Sequence, residues 1–131
     1  MARSALTLCA AIAIALGAAA PVAAAEAEAP AYQHFVACGL GHHAKPSHHC
    51  PRRSAEGAFF RTRRDSVHYT VCVRFPEGRT LCAKHQEADR GVLYVNALTT
   101  PQPGLHRITW FVEGKRVGRY YFRIGTSNTA R

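Results

Sequence analysis

The sequence predicts an all-β domain, either a sandwich or a small barrel, lying behind an export signal. Three observations predict it. About seven short apolar segments are separated by turn residues at spacings near 8–12 residues. No long helical period follows the first 25 residues. Four cysteines remain beyond that segment, and Cys72 and Cys82 flank a Pro-Glu-Gly turn symmetrically.

Residues 1–25 have the composition of a signal peptide. Arg3 supplies the positive start, residues 6–16 are apolar, and Ala23-Ala24-Ala25 precede Glu26 as small cleavage-site residues. The apolar run is too short for a comfortable membrane span and no second one follows, so no stable span is expected in the mature chain. Cys9 lies inside this run and leaves with the signal. The remaining 106 residues make one domain.

Residues 26–33 read as a flexible leader and residues 34–125 as the domain. His34 to Cys38 opens it as a short strand. Gly39 to Ala55 is polar, with Gly, Pro, Ser and four histidines, and reads as a loop. Ala58 to Arg61 is a second short strand. Val67, Tyr69, Val71, Val73 and Phe75 recur at period two, as in a strand with one buried face. Gly91 to Leu98, Leu105 to Val112 and Val117 to Ile124 are further strands. Glu113-Gly114 makes a tight turn between the last two, and Gly118 marks a bulge or a close packing contact. Residues 126–131 fray.

The segment Phe75-Pro76-Glu77-Gly78-Arg79 fits a three-residue hairpin loop. Pro76 has the φ of the first central turn position, and Gly78 accepts the left-handed one. Counting outward pairs Arg74 with Thr80, Val73 with Leu81, and Cys72 with Cys82. The cysteines fall on a non-hydrogen-bonded pair, where side chains approach most closely. A Cys72–Cys82 disulfide is therefore expected, and of the three pairings four cysteines permit, it leaves Cys38–Cys50. Such bridges belong to an oxidising compartment.

The stretch Gly104 to Gly118, with Trp110 and Gly114, resembles the closing hairpin of bacterial immunoglobulin-like domains. The mature chain resembles small exported four-cysteine bacterial proteins in Cys38, Cys50, Cys72, Cys82, the Tyr94-Val95-Asn96 strand and the Trp110 hairpin. The resemblance implies an immunoglobulin-like β-sandwich. It departs from antibody-type domains, because Cys72 and Cys82 lie within one hairpin and cannot bridge two sheets.

The chemistry is sparse. His42, His43, His48 and His49 are candidate metal ligands, since imidazole binds zinc, copper and nickel. Cys38 and Cys50 do not have a zinc-site spacing, and as a disulfide they cannot ligate. Sixteen basic residues remain after Arg3 against eight acids, a formal +8, which favours anionic partners. Arg61, Arg63, Arg64, Arg119 and Arg123 are the candidate contacts, with Tyr121 adding an aromatic surface between the last two. The few carboxylates are scattered, no nucleophile or phosphate-loop motif occurs, and no catalytic residue or cofactor is expected. The expected role is non-enzymatic: binding or structure, secreted or in the cell envelope. The partner is an unidentified envelope or extracellular ligand. The alternatives are a binder of anionic polymers (wall polymer, lipid head groups or nucleic acid) and a histidine-loop metal binder.

Overall fold

A computed structural model describes residues 17, 30–98 and 102–126. The expected signal segment (apart from Gly17) and the end of the chain after residue 126 lie outside the described residues. The elements are β1 (Tyr32–Ala37), β2 (His49–Cys50), β3 (Glu56–Thr62), β4 (Val67–Arg74), β5 (Thr80–Cys82), β6 (Gln86–Ala88), β7 (Tyr94–Leu98), β8 (Gly104–Val112) and β9 (Lys115–Ile124). The first strand begins at Tyr32, two residues inside the expected leader.

Two sheets form. One has the order β1-β3-β7, the other β2-β9-β8-β4-β5, with β6 also on β4. Setting aside the short β2 and joining β5 with β6, the strands in alphabetical order are A-B-E against G-F-C-C′. That division of consecutive strands is an immunoglobulin-like β-sandwich.

Two elements go beyond the seven expected strands. Residues 39–55 are not wholly loop: β2 runs parallel to β9, pairing His49 with Arg123 and Cys50 with Ile124. Two residues were too few for periodicity to show. The strand β6 continues β5 after a bulge. Cys72 pairs with Cys82 and Tyr69 with Gln86, so Thr70 and Val71 face three residues, Ala83, Lys84 and His85.

The stapled hairpin has the expected register. Phe75 N donates to Arg79 O at 2.9 Å and Ala83 N to Val71 O at 2.8 Å, which leaves Cys72 and Cys82 as a non-hydrogen-bonded pair. Their Cα atoms are 4.0 Å apart, and those of the second disulfide, Cys38–Cys50, 5.3 Å. The latter ties the end of β1 to β2, and hence to the edge of β9. In the chain-entropy model a loop of this size contributes about 3 kcal/mol.

Val112 pairs with Lys115 across the β8–β9 turn. Glu113 and Gly114 have φ of 48° and 77°, so this is a two-residue turn of the type whose twist matches the strands.

Trp110, Ile108, Phe122, Phe60 and Tyr69 fill the space between the sheets and are essentially solvent-free. The Tyr69 hydroxyl lies 2.6 Å from Gln86 Oε1 and 3.1 Å from Asn96 Oδ1, giving the core a polar link between sheets. Both expectations for Gly118 hold. The β8–β9 register shifts beside it, leaving Val117 as the extra residue. A Cβ there would also overlap the His34 ring, which is stacked on Trp110 with centroids 4.9 Å apart. The missing side chain lets β1 close onto β9.

Gly118→Ala should therefore destabilise the fold by about 1–3 kcal/mol in chemical denaturation, the cost of overpacking. Gly41→Ala, where nothing lies within 4 Å of the added atom, serves as the near-neutral control.

Candidate functional site

The site is built by strand alternation. On β8 the residues His106, Ile108, Trp110 and Val112 are buried against the other sheet, so Leu105, Arg107, Thr109 and Phe111 take the outer face. On β9 the buried Phe122 and Ile124 put Arg119, Tyr121 and Arg123 on that face. On β4 the buried Val67, Tyr69 and Val71 put His68, Thr70, Cys72 and Arg74 there.

Register then lines these residues into rows. Thr80, Arg74, Arg107 and Tyr121 form one row across β5, β4, β8 and β9. Cys82, Cys72, Thr109 and Arg119 form the next. Leu105 pairs with Arg123 beyond the first. Four arginines thus share one end of one face, with the Cys72–Cys82 disulfide set among them.

No carboxylate among the described residues neutralises them. The ion pairs among those residues are His68–Glu113, Arg79–Glu77 and Arg90–Asp65. Glu113 and Glu87 sit with His68 at the opposite end of β4. Glu77, at the hairpin tip, is held below the usual carboxylate range chiefly by a backbone hydrogen bond, with Arg79 adding to it. Arg74 and Arg107 stand directly opposite one another, an arrangement that costs stability unless solvent or an anion screens it. The Arg107 Nε is buried and has no hydrogen-bond partner. An open hollow of about 280 Å³ lies here, lined by Arg74, Phe75, Pro76, Leu105, His106, Arg107 and Tyr121.

The five arginines singled out from the sequence are split. Arg119 and Arg123 join this face. Arg61 lies on β3 in the other sheet, opposite Gln33, with Arg63 and Arg64 just beyond that strand. The Arg64 guanidinium sits 5.7 Å from the Tyr32 ring centroid. The arginines that sequence reasoning left out of the set are Arg74 and Arg107. Only the β4–β8 register places them together, and no local pattern announces that pairing.

The four loop histidines do not converge. His48 donates from Nδ1 to the Tyr121 carbonyl at 2.6 Å and lies flat on Tyr120, with ring centroids 4.3 Å apart. His49 is in β2, while His42 and His43 are exposed in the preceding turn. Among the described residues no group of three or more His, Cys, Asp or Glu side chains is placed to hold a metal ion. At least one of these histidines has a structural task, since His48 fastens the loop to the edge of β9. A further hollow of about 190 Å³ under β7 is lined by Val71, Val73, Phe75, Leu81 and Leu98 among others, and it offers no charged group.

The fold and face define a basic immunoglobulin-like sandwich. The chain is similar to a crystal structure of an immunoglobulin-like protein from Pseudomonas aeruginosa, with 12% identity, covering 71% of this chain and 90% of that one at a TM-score of 0.39. No family model and no curated protein matches the chain. The assignment of the fold therefore rests on the strand order itself. No helix among the described residues is long and apolar enough to cross a membrane.

One histidine borders this region from the core side, and a second lies half-buried against Trp110. His106 is buried, donates from Nδ1 to the Gly104 carbonyl at 3.0 Å and stacks on Phe122. Burial holds its imidazole below the usual range, against the opposing pull of the Gly104 carbonyl and of Glu77. Burial lowers His34 in the same way. The unfolded chain, with histidines near pKa 6.5, then binds more protons than the native state below that value. Stability should be fully present above about pH 6.5 and fall as pH drops through the window down to the lowered native values. Glu56, buried beside Ser54, is raised by burial and contributes with the opposite sign at lower pH. Thermal melts between neutral pH and the low sixes should show a falling Tm. A His34→Gln/His106→Gln double variant should be less stable at pH 7 yet flatter across that window.

Proposed function

We propose that this protein is an exported, non-enzymatic binding module that holds an anionic polymer of the cell envelope or its surroundings against the outer face of the larger sheet. The observation that carries this reading is the row of Arg74, Arg107 and Tyr121 with Arg119 and Arg123 beside it, none of the four arginines ion-paired to a carboxylate among the described residues. A polymer supplies repeated negative charges, and a rigid sheet presents repeated positive ones. Each charge neutralised releases a counterion, so binding gains entropy and weakens with salt. Export is supported by the signal-like residues 1–25 and by two disulfides, which persist in oxidising compartments. The disulfide-closed hairpin supports the reading further, because it prevents the arginine-bearing strand from changing register with β5.

The face accounts better for the charge than a diffuse solubility effect does. Solubility needs net charge anywhere on the surface. Placing Arg74 against Arg107 goes beyond that need and incurs repulsion.

Retention on an anionic polysaccharide matrix, eluted with a salt gradient, tests the proposal. Arg74→Ala, Arg107→Ala, Arg119→Ala and Arg123→Ala together should elute at much lower salt, with the log–log salt slope falling by roughly one for each arginine replaced. The triple variant Arg61→Ala/Arg63→Ala/Arg64→Ala removes nearly as much charge from the other sheet and should elute close to the parent. Equal shifts for both variants would reduce the effect to net charge and overturn the reading.

A further inference from the structure

We infer that the hollow beside Arg107 is a subsite for one acidic sugar unit, a pyranose ring bearing a single carboxylate, phosphate or sulfate. The inference rests on the reading that the arginine face binds an anionic polymer, and it names what the polymer is made of. Three observations converge. Arg74 and Arg107 line one hollow from directly paired positions, and no carboxylate residue shares its lining. The Nε of Arg107, a residue lining the hollow, is buried without a hydrogen-bond partner, a state it shares with the Nε of Arg61 on the other sheet, where no second arginine is paired opposite it. Tyr121 and Leu105, each 47% exposed, border the same hollow with apolar surface.

These features divide the ligand between them. Two guanidinium forks match a planar or tetrahedral oxyanion, which accepts paired charge-assisted hydrogen bonds. The Tyr121 ring and the Leu105 and Pro76 side chains offer a wall for the apolar face of a ring. The volume, about 280 Å³, falls just below the range of drug-sized ligand pockets and suits one monosaccharide unit, not an oligomer. The hollow is open, so the units on either side of the bound one can continue across the face toward Arg119 and Arg123. Glu77 stands at the hairpin tip beside the hollow, but its carboxylate is engaged by Arg79 Nε at 3.2 Å. Single-stranded nucleic acid fits less well. Its platforms stack successive bases on successive aromatic side chains, and the row here has Tyr121 alone.

The experiment is a two-dimensional NMR titration of the full disulfide-bonded domain, following the Arg107 side-chain Nε–H and the amides of Leu105, Arg107 and Tyr121. The probes are glucuronate, glucose 6-phosphate, glucose, inorganic phosphate and a mononucleotide. Glucuronate or the sugar phosphate should move these signals saturably, and whichever binds more tightly assigns carboxylate or phosphate as the natural group. Glucose and inorganic phosphate should bind at least about tenfold more weakly, because each lacks one half of the recognised chemistry. Arg107→Lys keeps the charge but loses the fork, and it should weaken the acidic sugar by about tenfold. Tyr121→Ala should weaken the sugar acids and leave inorganic phosphate unaffected. Inorganic phosphate matching the acidic sugars would make this an adventitious anion site and overturn the subsite. So would a mononucleotide that outcompetes them, or an unaltered affinity in a folded Arg107→Lys protein. If no sugar acid perturbs the hollow while the four-arginine variant still loses polymer retention, the subsite fails and the face stands. If polymer retention survives in that variant, the face itself fails.

Discussion

The burial of Trp110 sets the outer face of the larger sheet. Its indole is solvent-free between the sheets, under the His34 ring and across the ladder from Gly118. Strand alternation has a period of two, so a residue on one face dictates the face of every other residue in the strand. With Trp110 inward, Arg107 and Thr109 must point outward, and the antiparallel registers then bring Arg74 and Tyr121 beside Arg107. A slip of one residue would expose the indole and drive Arg107 into the core. The charge arrangement on the surface is thus specified from the inside. Gly118 belongs to the same constraint, because any Cβ there would displace the ring that covers the tryptophan.

Repulsion on the arginine face is tolerated because Arg74, Arg119 and Arg123 are exposed to water, where the effective dielectric is high, and only Arg107 is half-buried. The stability of the domain comes from elsewhere: the aromatic core, the bridge from Cys38 to Cys50 that holds β2 to the edge of β9, and the bridge from Cys72 to Cys82 within the face. A structure that is overdetermined in this way can carry a local electrostatic cost at a binding surface. The Tyr69 hydroxyl illustrates the same economy inside. Burial pushes its pKa up to about 12, so it remains a neutral hydroxyl beside Gln86 and Asn96.

What could be read in the sequence was what is local. Pro76 and Gly78 announce their turn by their own φ preferences, so the Cys72–Cys82 register followed by counting. The Glu113-Gly114 turn and the special role of Gly118 were legible for the same reason. The short β2 was hidden, because two residues carry no period and its partner β9 lies at the far end of the chain. The interruption between β5 and β6 was hidden too, since a bulge looks like loop when its partner strand is unknown. The candidate site suffered most. Arg119 and Arg123 were visible through alternation within one strand. Arg74 and Arg107 meet only through the β4–β8 ladder, and nothing local sets Arg61, Arg63 and Arg64 apart from them until the sheets are separated. The histidine pairs had the look of a ligand cluster because sequence adjacency does not reveal that His48 lies against Tyr120.

The strand order also governs how the chain reaches this state. The β8–β9 hairpin pairs neighbours, as does β4 with β5, but β3 waits for β7 and β4 waits for β8. Such non-local ladders fold slowly, because loop closure must be met before contacts reward it. A chain emerging N-terminus first therefore carries the Ala58-Phe59-Phe60 run with one of its two neighbouring strands still absent. Uncharged aromatic segments of that kind are prone to mispairing while they wait. Arg61, Arg63 and Arg64 follow immediately, and like charges at the end of such a segment keep the unfinished strands of separate molecules apart.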